Sequence, residues 1–404
     1  MATNSYDVLV AGAGPAGNIA ALKLAELGHH VGVVDFRTKI GDKLCTGIIG
    51  RECADLYPPD PADVYHAAQS AVLVAPSGRS HSVERDEPHA YIVNRVKYVA
   101  SLANRAQDCG AEFRLGEKIE AINQTRDGIS IHTTTQAGSS QIDAKAVVIA
   151  SGFASPLVRM VGLQNAQPKH NMIGCQAVVS TNDLDRTEVY LGESIAPGSF
   201  AWLVPVSQDT GLVGLVSRHK LNGHMDHFIE RLQTQGKIRE VVQEPKRWGI
   251  PIKPLPKTYA NRVIVAGDAA GQVKPTTGGG IYYAILSGEL AAQTLDEALK
   301  EGDLSEQRTS GYENSWRRLF GRELKVGYYA RRFYETLSDR HIEAGLEKLL
   351  SDPVQDELIG SKDFSFDWHS SLVMKAVMNS ELRQVISSLG PIAEPLLSRI
   401  RSSS

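Results

Sequence analysis

Residues 6–37, YDVLVAGAGPAGNIAALKLAELGHHVGVVDFR, decide the fold. Val8, Leu9, Val10 and Ala11 form a short apolar run suited to a strand buried on both faces. Ile19, Leu22, Leu24, Ala25 and Leu27 recur at helical spacing until Gly28 closes the helix, and HVGVVDF opens a second strand. Gly12, Gly14 and Gly17 spell GxGxxG in the turn between strand and helix. The first permits a tight bend, the second lets backbone approach a pyrophosphate, and the third permits close packing of helix on strand. Asp35, at the end of the second strand, stands where an acid accepts hydrogen bonds from a ribose. Strand, glycines, helix and acid together predict a dinucleotide-binding unit, for which NAD and FAD both qualify.

Residues 262–292, RVIVAGDAAGQVKPTTGGGIYYAILSGELAA, add a second half to that site. Val263, Ile264, Val265 and Ala266 read as another buried strand, Gly267 and Asp268 follow, and PTTGGGI leads into a helix beginning near Ile281. An Asp at a strand end can bind a ribityl hydroxyl. Backbone N–H groups of Gly278, Gly279 and Gly280, at a helix N-terminus, can face a flavin carbonyl edge or a phosphate. The stretch resembles the second FAD-binding motif of the p-hydroxybenzoate hydroxylase superfamily, and the resemblance implies FAD. AVVIASGFASPLVRMVG, residues 146–162, is similar to that superfamily's middle motif, with Ser151 in the usual Asp position, then Gly152, Ser155 and Arg159. In relatives this motif helps hold the pyrophosphate and handle nicotinamide, so the departure tells against NADPH as direct reductant. Arg95 occupies the place where relatives carry an Arg near the flavin; its other reading is a surface or interdomain salt bridge.

GDKLCTGIIG, residues 41–50, places one cysteine among three glycines just downstream of the first unit. Taken alone, Cys45 is either one more buried, inert thiol or a group with a part in chemistry. The order of FAD motif, KLCTGIIG and PTTGGGIYYAILSGELAA resembles the geranylgeranyl reductase family, flavoenzymes that saturate isoprenoid double bonds. Members carry a lysine-x-cysteine-glycine stretch, matched by Lys43, Cys45 and Gly47. They also carry a tyrosine-x-tryptophan-x-phenylalanine-proline motif; FAWLVP matches it at Trp202 and Pro205 and departs at Phe200 and Val204. The likeness runs from about residue 5 to residue 300. It implies hydride delivery from reduced flavin to one alkene carbon and a proton to the other, with Cys45 and Gly47 on the reacting face. It also implies an isoprenoid gripped by Phe200, Trp202 and Pro205, and it leaves ferredoxin, a quinol and NADPH open as electron donor.

Bulk properties narrow the remaining classes. A chain of 404 residues exceeds the size at which one core keeps growing, so two or three structural units are expected. Lys+Arg 43 against Asp+Glu 46, a net charge of -3, supplies no field for polyanions, so no nucleic-acid partner is expected. The start, MATNSYDVLVAGAG, lacks the parts of a secretion signal and runs into a strand, and no apolar stretch reaches the roughly eighteen residues of a spanning helix. Cys45, Cys53, Cys109 and Cys175 form no CxxC pair, so a reducing, cytoplasmic setting and no metal site are expected. HExxH, GxSxG and EF-hand patterns are absent from the sequence, which removes the familiar hydrolytic machineries.

The expected fold class is α/β: a Rossmann-like FAD-binding domain interleaved with an antiparallel-sheet substrate domain, plus a helical C-terminal region. Residues 1–70, 93–165 and 261–300 are assigned to the first, 71–92 and 166–260 to the second, and 301–404 to the third. AVLVAPSGRSHSV, IGCQAVVST, TEVYLG, FAWLVPV and GLVGLVSR supply the strands with polar alternation. Phe200 and Trp202 share one side at period two, either as the wall of a prenyl tunnel or as plain core. YENSWRRLFGRELKVGYYARRFY, residues 312–334, interleaves cations with aromatics. It reads either as a helix at an anionic membrane surface or as one with a solvated basic face. The terminal RIRSSS reads as frayed. Two other functions stay open: a flavin monooxygenase or halogenase of the same superfamily, and an electron-transfer flavoprotein passing electrons to a quinone. The tryptophan-x-tryptophan-x-isoleucine-proline motif of halogenases is missing, although FAWLVP is near it.

Overall fold

The run of small and apolar residues at the start becomes β1 (Ser5–Ala11), α1 (Pro15–Glu26) and β2 (Val31–Asp35). The computed structural model describes residues 4–125, 127–164, 167, 170–219, 221, 223–361, 364–382 and 394–401. Residues 402–404 of the tail expected to fray lie outside the described residues. β1 pairs in parallel with β2 on one side and with Gly138–Ile149 on the other, which is why its side chains are apolar on both faces. Val8 and Val10 meet α1 and the helices Arg95–Asp108 and Ile281–Glu301, while Leu9 and Ala11 meet Ile119, Ile122 and Ile131 on the opposite face.

Among the described residues this sheet has eight strands, six of them in the order Tyr259–Ala260, Val263–Val265, Gly138–Ile149, β1, β2, Glu112–Leu115. Lys118–Gln124 and Ile129–Thr135 branch from Gly138–Ile149 as an antiparallel ribbon. α1 and Ile281–Glu301 cross closely because Gly288 has no side chain; a Cβ there would stand 2.5 Å from the Ala16 carbonyl oxygen. A seven-stranded sheet lies beside the first, ordered Ile238–Pro251, Asn171–Thr181, Thr210–Ser217, Phe200–Pro205, Thr187–Leu191, Ser70–Val74, Ser80–Glu84. It is antiparallel except that Ser70–Val74 joins Thr187–Leu191 in parallel, so the expected antiparallel pattern fails at that one pairing. Ala201 and Leu203 face the helix His224–Thr234 through Met225, Phe228 and Leu232. Trp202 and Val204 face the other way, into a second apolar cluster with Met172, Ile250 and Val273, and Phe200 packs against its edge.

A small third sheet joins Ile48–Gly50, Ala90–Val93 and Val64–Ala68. Among the described residues beyond 301 the regular elements are helices, with a π-helical turn at Arg317–Gly321 between Glu306–Trp316 and Arg322–Tyr334. The mixed α/β architecture with a helical C-terminal region is the class expected from sequence. Among the described residues no helix is long and apolar enough to cross a membrane.

Candidate active site

A cavity of about 630 Å³ opens at the C-terminal ends of β1, β2 and Gly138–Ile149, where open α/β sheets place their ligands. Gly12, Gly14 and Asp35 line it from the first nucleotide unit, and Asp268, Gly278 and Gly280 from the second. Cys45 and Arg95 complete the group on its wall. Gly17, Gly47 and Gly279 lie behind that lining, and Phe200, Trp202 and Pro205 are set back in the neighbouring sheet.

The three glycines of the first turn do different physical work. Gly12 sits at φ +114°, and a Cβ on it would meet the Ala150 carbonyl oxygen at 2.5 Å. A Cβ on Gly17 would stand 1.9 Å from the Gly12 carbonyl oxygen, so helix and turn close on each other there. Gly14 has no atom within 4 Å of its Cβ position and faces open space. No side chain caps α1 and its first turn holds no acid, which leaves a helix N-terminus ready for an anionic group. The buried Asp35 carboxylate is oriented by two backbone donors, Ala13 N–H at 2.8 Å and Arg37 N–H at 2.8 Å. Gly14 beside the helix end and the Asp35 carboxylate are the groups here that could hold a pyrophosphate and a ribose.

The segment carrying Cys45 is held on three sides. Arg95 Nη1 donates to the carbonyl oxygens of Gly41 at 2.6 Å and Lys43 at 2.9 Å. No carboxylate lies within ion-pair distance of Arg95 among the described residues, so it braces a loop rather than forming a salt bridge. Lys43 pairs with the Asp268 carboxylate, and Thr46 Oγ1 donates to Gln176 Oε1 at 2.8 Å on the neighbouring sheet. Gly47, at φ +77°, packs where a Cβ would stand 2.6 Å from the Val93 carbonyl oxygen. Cys45 is thereby fixed, half-buried, on the cavity wall. Cys53 is the contrasting thiol: burial pushes it up to about 12, which keeps it protonated and inert. Among the described residues no group of three or more His, Cys, Asp or Glu could hold a metal ion.

Beyond the glycine turn at 278–280 the surroundings become apolar. The vacant side-chain position of Gly278 is bounded by Ile250 Cδ1 at 3.1 Å and Met172 Cε at 3.5 Å. Phe200, Trp202 and Trp248 form a continuous aromatic wall, with ring centroids 5.9 Å apart for the first pair and 6.4 Å for the second. Trp248, which sequence reading missed, lines the cavity itself. The available signal was glycine inside strands: Gly174 and Gly214 lie under the indoles of Trp248 and Trp202, which a Cβ would approach to 2.5 Å and 2.4 Å. Pro205 ends its strand opposite Gly211, away from the cavity. Ser151 Oγ donates to Ser155 Oγ at 2.6 Å, so the middle motif presents hydroxyls where relatives present a carboxylate.

The basic-aromatic stretch divides between core and surface. Trp316 and Phe320 are buried and stacked at 5.6 Å, and Arg331 is buried against Glu335. Arg318, Arg322, Lys325 and the apolar Leu319 point outward.

Residues 7–344 match a family model described as lycopene cyclase protein. A digeranylgeranylglycerophospholipid reductase from Methanocaldococcus jannaschii is 31% identical over 363 residues, covering 85% of this chain and 90% of the relative. The crystal structure of a geranylgeranyl bacteriochlorophyll reductase-like protein from Thermoplasma acidophilum matches with a TM-score of 0.85 at 24% identity, over 98% of this chain and all of the other (100%). A flavin-dependent brominase matches with a TM-score of 0.68 at 16% identity, over 98% of each chain. These two structures speak for the fold, which this chain shares with a flavin enzyme; the methanogen relative speaks for the family.

Proposed function

This chain belongs to the family of the lycopene cyclase model and, within it, to the geranylgeranyl reductases, a family of flavin-dependent oxidoreductases, and on that premise we propose that it is an FAD-dependent reductase of isoprenoid lipid double bonds. One observation carries the reading. The glycine turn expected to face the flavin edge abuts Ile250 and Met172 of an apolar, aromatic-walled region, while Cys45 stands on the same cavity. A hydrocarbon chain is the substrate such a wall accepts, and a half-buried thiol is a proton donor suited to a dry site.

The residues fit the cofactor. Gly12, Gly14 and Gly17 with the uncapped end of α1 would hold the pyrophosphate, Asp35 the adenosine ribose and Asp268 the ribityl chain. Gly278, Gly279 and Gly280 would meet the pyrimidine edge at the start of Ile281–Glu301. Bound there and reduced, FAD supplies a hydride. Arg95 holds the carbonyls of Gly41 and Lys43, so the Cys45 segment cannot drift from the cavity. Cys45 Sγ–H gives its proton to the second alkene carbon and regains one from the open mouth of the cavity, so the alkene gains one hydride and one proton. Trp248, backed by Trp202 and Phe200, lines the space that the isoprenoid would occupy and excludes water from it. Arg318, Arg322 and Lys325, facing outward beside Leu319, are the surface we assign to anionic lipid headgroups, a peripheral contact of a cytoplasmic enzyme.

Two measurements test this reading. Heat-released flavin should chromatograph as FAD and not FMN. Dithionite-reduced protein incubated with a digeranylgeranylglycerophospholipid should yield lipid heavier by two hydrogens per double bond; unchanged lipid mass contradicts the proposal.

A further inference from the structure

The chain beyond the matched family region, past residue 344, returns to the back of the glycine turn and plants a buried charge pair there. Lys274 precedes the turn and is tied into it, its N–H donating to the Gly279 carbonyl at 3.0 Å and its carbonyl accepting from Gly278 N–H at 2.8 Å. Its side chain runs behind the turn, with Cε 3.0 Å from the vacant Cβ position of Gly279. The ammonium is buried. It donates to the Phe366 carbonyl at 2.5 Å, lies 4.4 Å from the Phe366 ring centroid, and has the buried Asp367 carboxylate at 3.5 Å.

This arrangement is built rather than incidental. Asp367 Oδ2 accepts from Cys53 N–H at 3.1 Å, and Gly50 leaves room for that carboxylate, which a Cβ would meet at 2.2 Å. Tyr283 OH donates to the Asp367 carbonyl at 2.8 Å, and Trp368 packs edge-on against Tyr282 and Tyr283 at 5.7 Å each. His369 Nε2–H donates to the Phe366 carbonyl at 2.9 Å, so its Nδ1 accepts from Thr276 Oγ1 at 2.6 Å. Glu323 takes the N–H groups of His369 and Ser370 at 2.6 Å and 2.8 Å. Burial pushes Lys274 down and Asp367 up. A carbonyl on the ammonium, an N–H on the carboxylate and the opposite charge of each partner act against that push, while Glu52 adds to it at Asp367. The positive end of the pair lies against the turn and the negative end lies away from it, beside Gly50 and Cys53.

A flavin that takes up two electrons and one proton becomes an anion, and a fixed cation near its pyrimidine edge favours that form. We propose that Lys274, pinned by residues 366–369, is a positioning residue that draws the bound flavin toward its anionic two-electron reduced form, so that the C-terminal region sets the reduction potential of the site. The inference rests on the flavin reading above but not on the substrate.

The test is the midpoint potential of the purified, flavin-loaded protein by dye equilibration, without lipid. Lys274→Met should shift the ratio of reduced to oxidised flavin at least tenfold toward oxidised, about 30 mV for a two-electron couple. Lys274→Arg should keep the wild-type value. The double variant Lys274→Met, Asp367→Asn leaves no unpaired buried charge. It should also fall below wild type, by less than the single variant, and it decides the matter if Lys274→Met fails to fold. Flavin-loaded Lys274→Met with a midpoint within threefold of the wild-type ratio, or the double variant within it where the single one does not fold, overturns the inference. A wild-type protein that binds no flavin overturns the function proposed above instead.

Discussion

Lys43 and Asp268, 225 residues apart in the chain, form an ion pair that joins the cysteine loop to the second nucleotide-binding turn. Both side chains are only partly shielded from water, so the pair contributes about 1 kcal/mol or less to stability. Its weight falls on the position of the loop. Lys43→Met should leave the melting temperature nearly unchanged and weaken FAD retention about tenfold, read by flavin fluorescence during titration of the apoprotein. Unchanged affinity would show that Arg95 and Thr46 hold the loop without it.

Gly14 and Gly17 should respond differently to one added methyl group. Gly14→Ala meets open space and keeps an extended backbone at φ -86°, so the fold should survive while flavin binding is lost. Gly17→Ala drives a Cβ to 1.9 Å from the Gly12 carbonyl oxygen and should cost about 4 kcal/mol or more. Thermal melts beside flavin spectra separate the two outcomes, and equal melting temperatures would contradict the division of roles.

For the chemistry, Cys45→Ala should lower the single-turnover rate of alkene reduction by about a hundredfold, the scale of a lost general acid, with the flavin spectrum intact. A wild-type rate would remove the thiol from the proton path.

His369 makes stability depend on pH. Burial, with Lys274 nearby, lowers it from 6.5 to about 3, so it is neutral in the fold. Below pH 6.5 the unfolded chain takes up a proton that the fold refuses until about pH 3. Stability therefore falls by about 1.4 kcal/mol per pH unit across that window and is fully present above it. His369→Gln should flatten that acid limb in urea unfolding measured at several pH values; an unaltered slope would mean that other groups govern it.

What could be read ahead of the structure follows the range of the interactions. β1, the glycine turn, α1 and β2 are consecutive, and each residue type there answers a local demand, so the unit and its Asp35 were legible. The start of the long helix at Ile281 was legible for the same reason. The Lys43–Asp268 pair, Trp248 over Gly174, and the parallel pairing of Ser70–Val74 with Thr187–Leu191 depend on partners distant in the chain. The segment at 364–370 shows neither helical nor strand periodicity, and its value lies wholly in what it touches. The basic-aromatic stretch, on composition alone, left a membrane-facing and a solvated basic face open. Its period is broken by the π-helical turn, which sends Trp316 and Phe320 inward and leaves Arg318 and Arg322 outside.

The decisive measurement is an anaerobic single turnover: the flavin is reduced with dithionite, a digeranylgeranyl lipid is added, and the flavin spectrum and the lipid mass are followed together. Reoxidation of the flavin in step with a gain of two hydrogens per double bond is the outcome expected of a prenyl reductase. Flavin that stays reduced until oxygen or a quinone is admitted would contradict that function and return the choice to a monooxygenase or an electron-transfer flavoprotein.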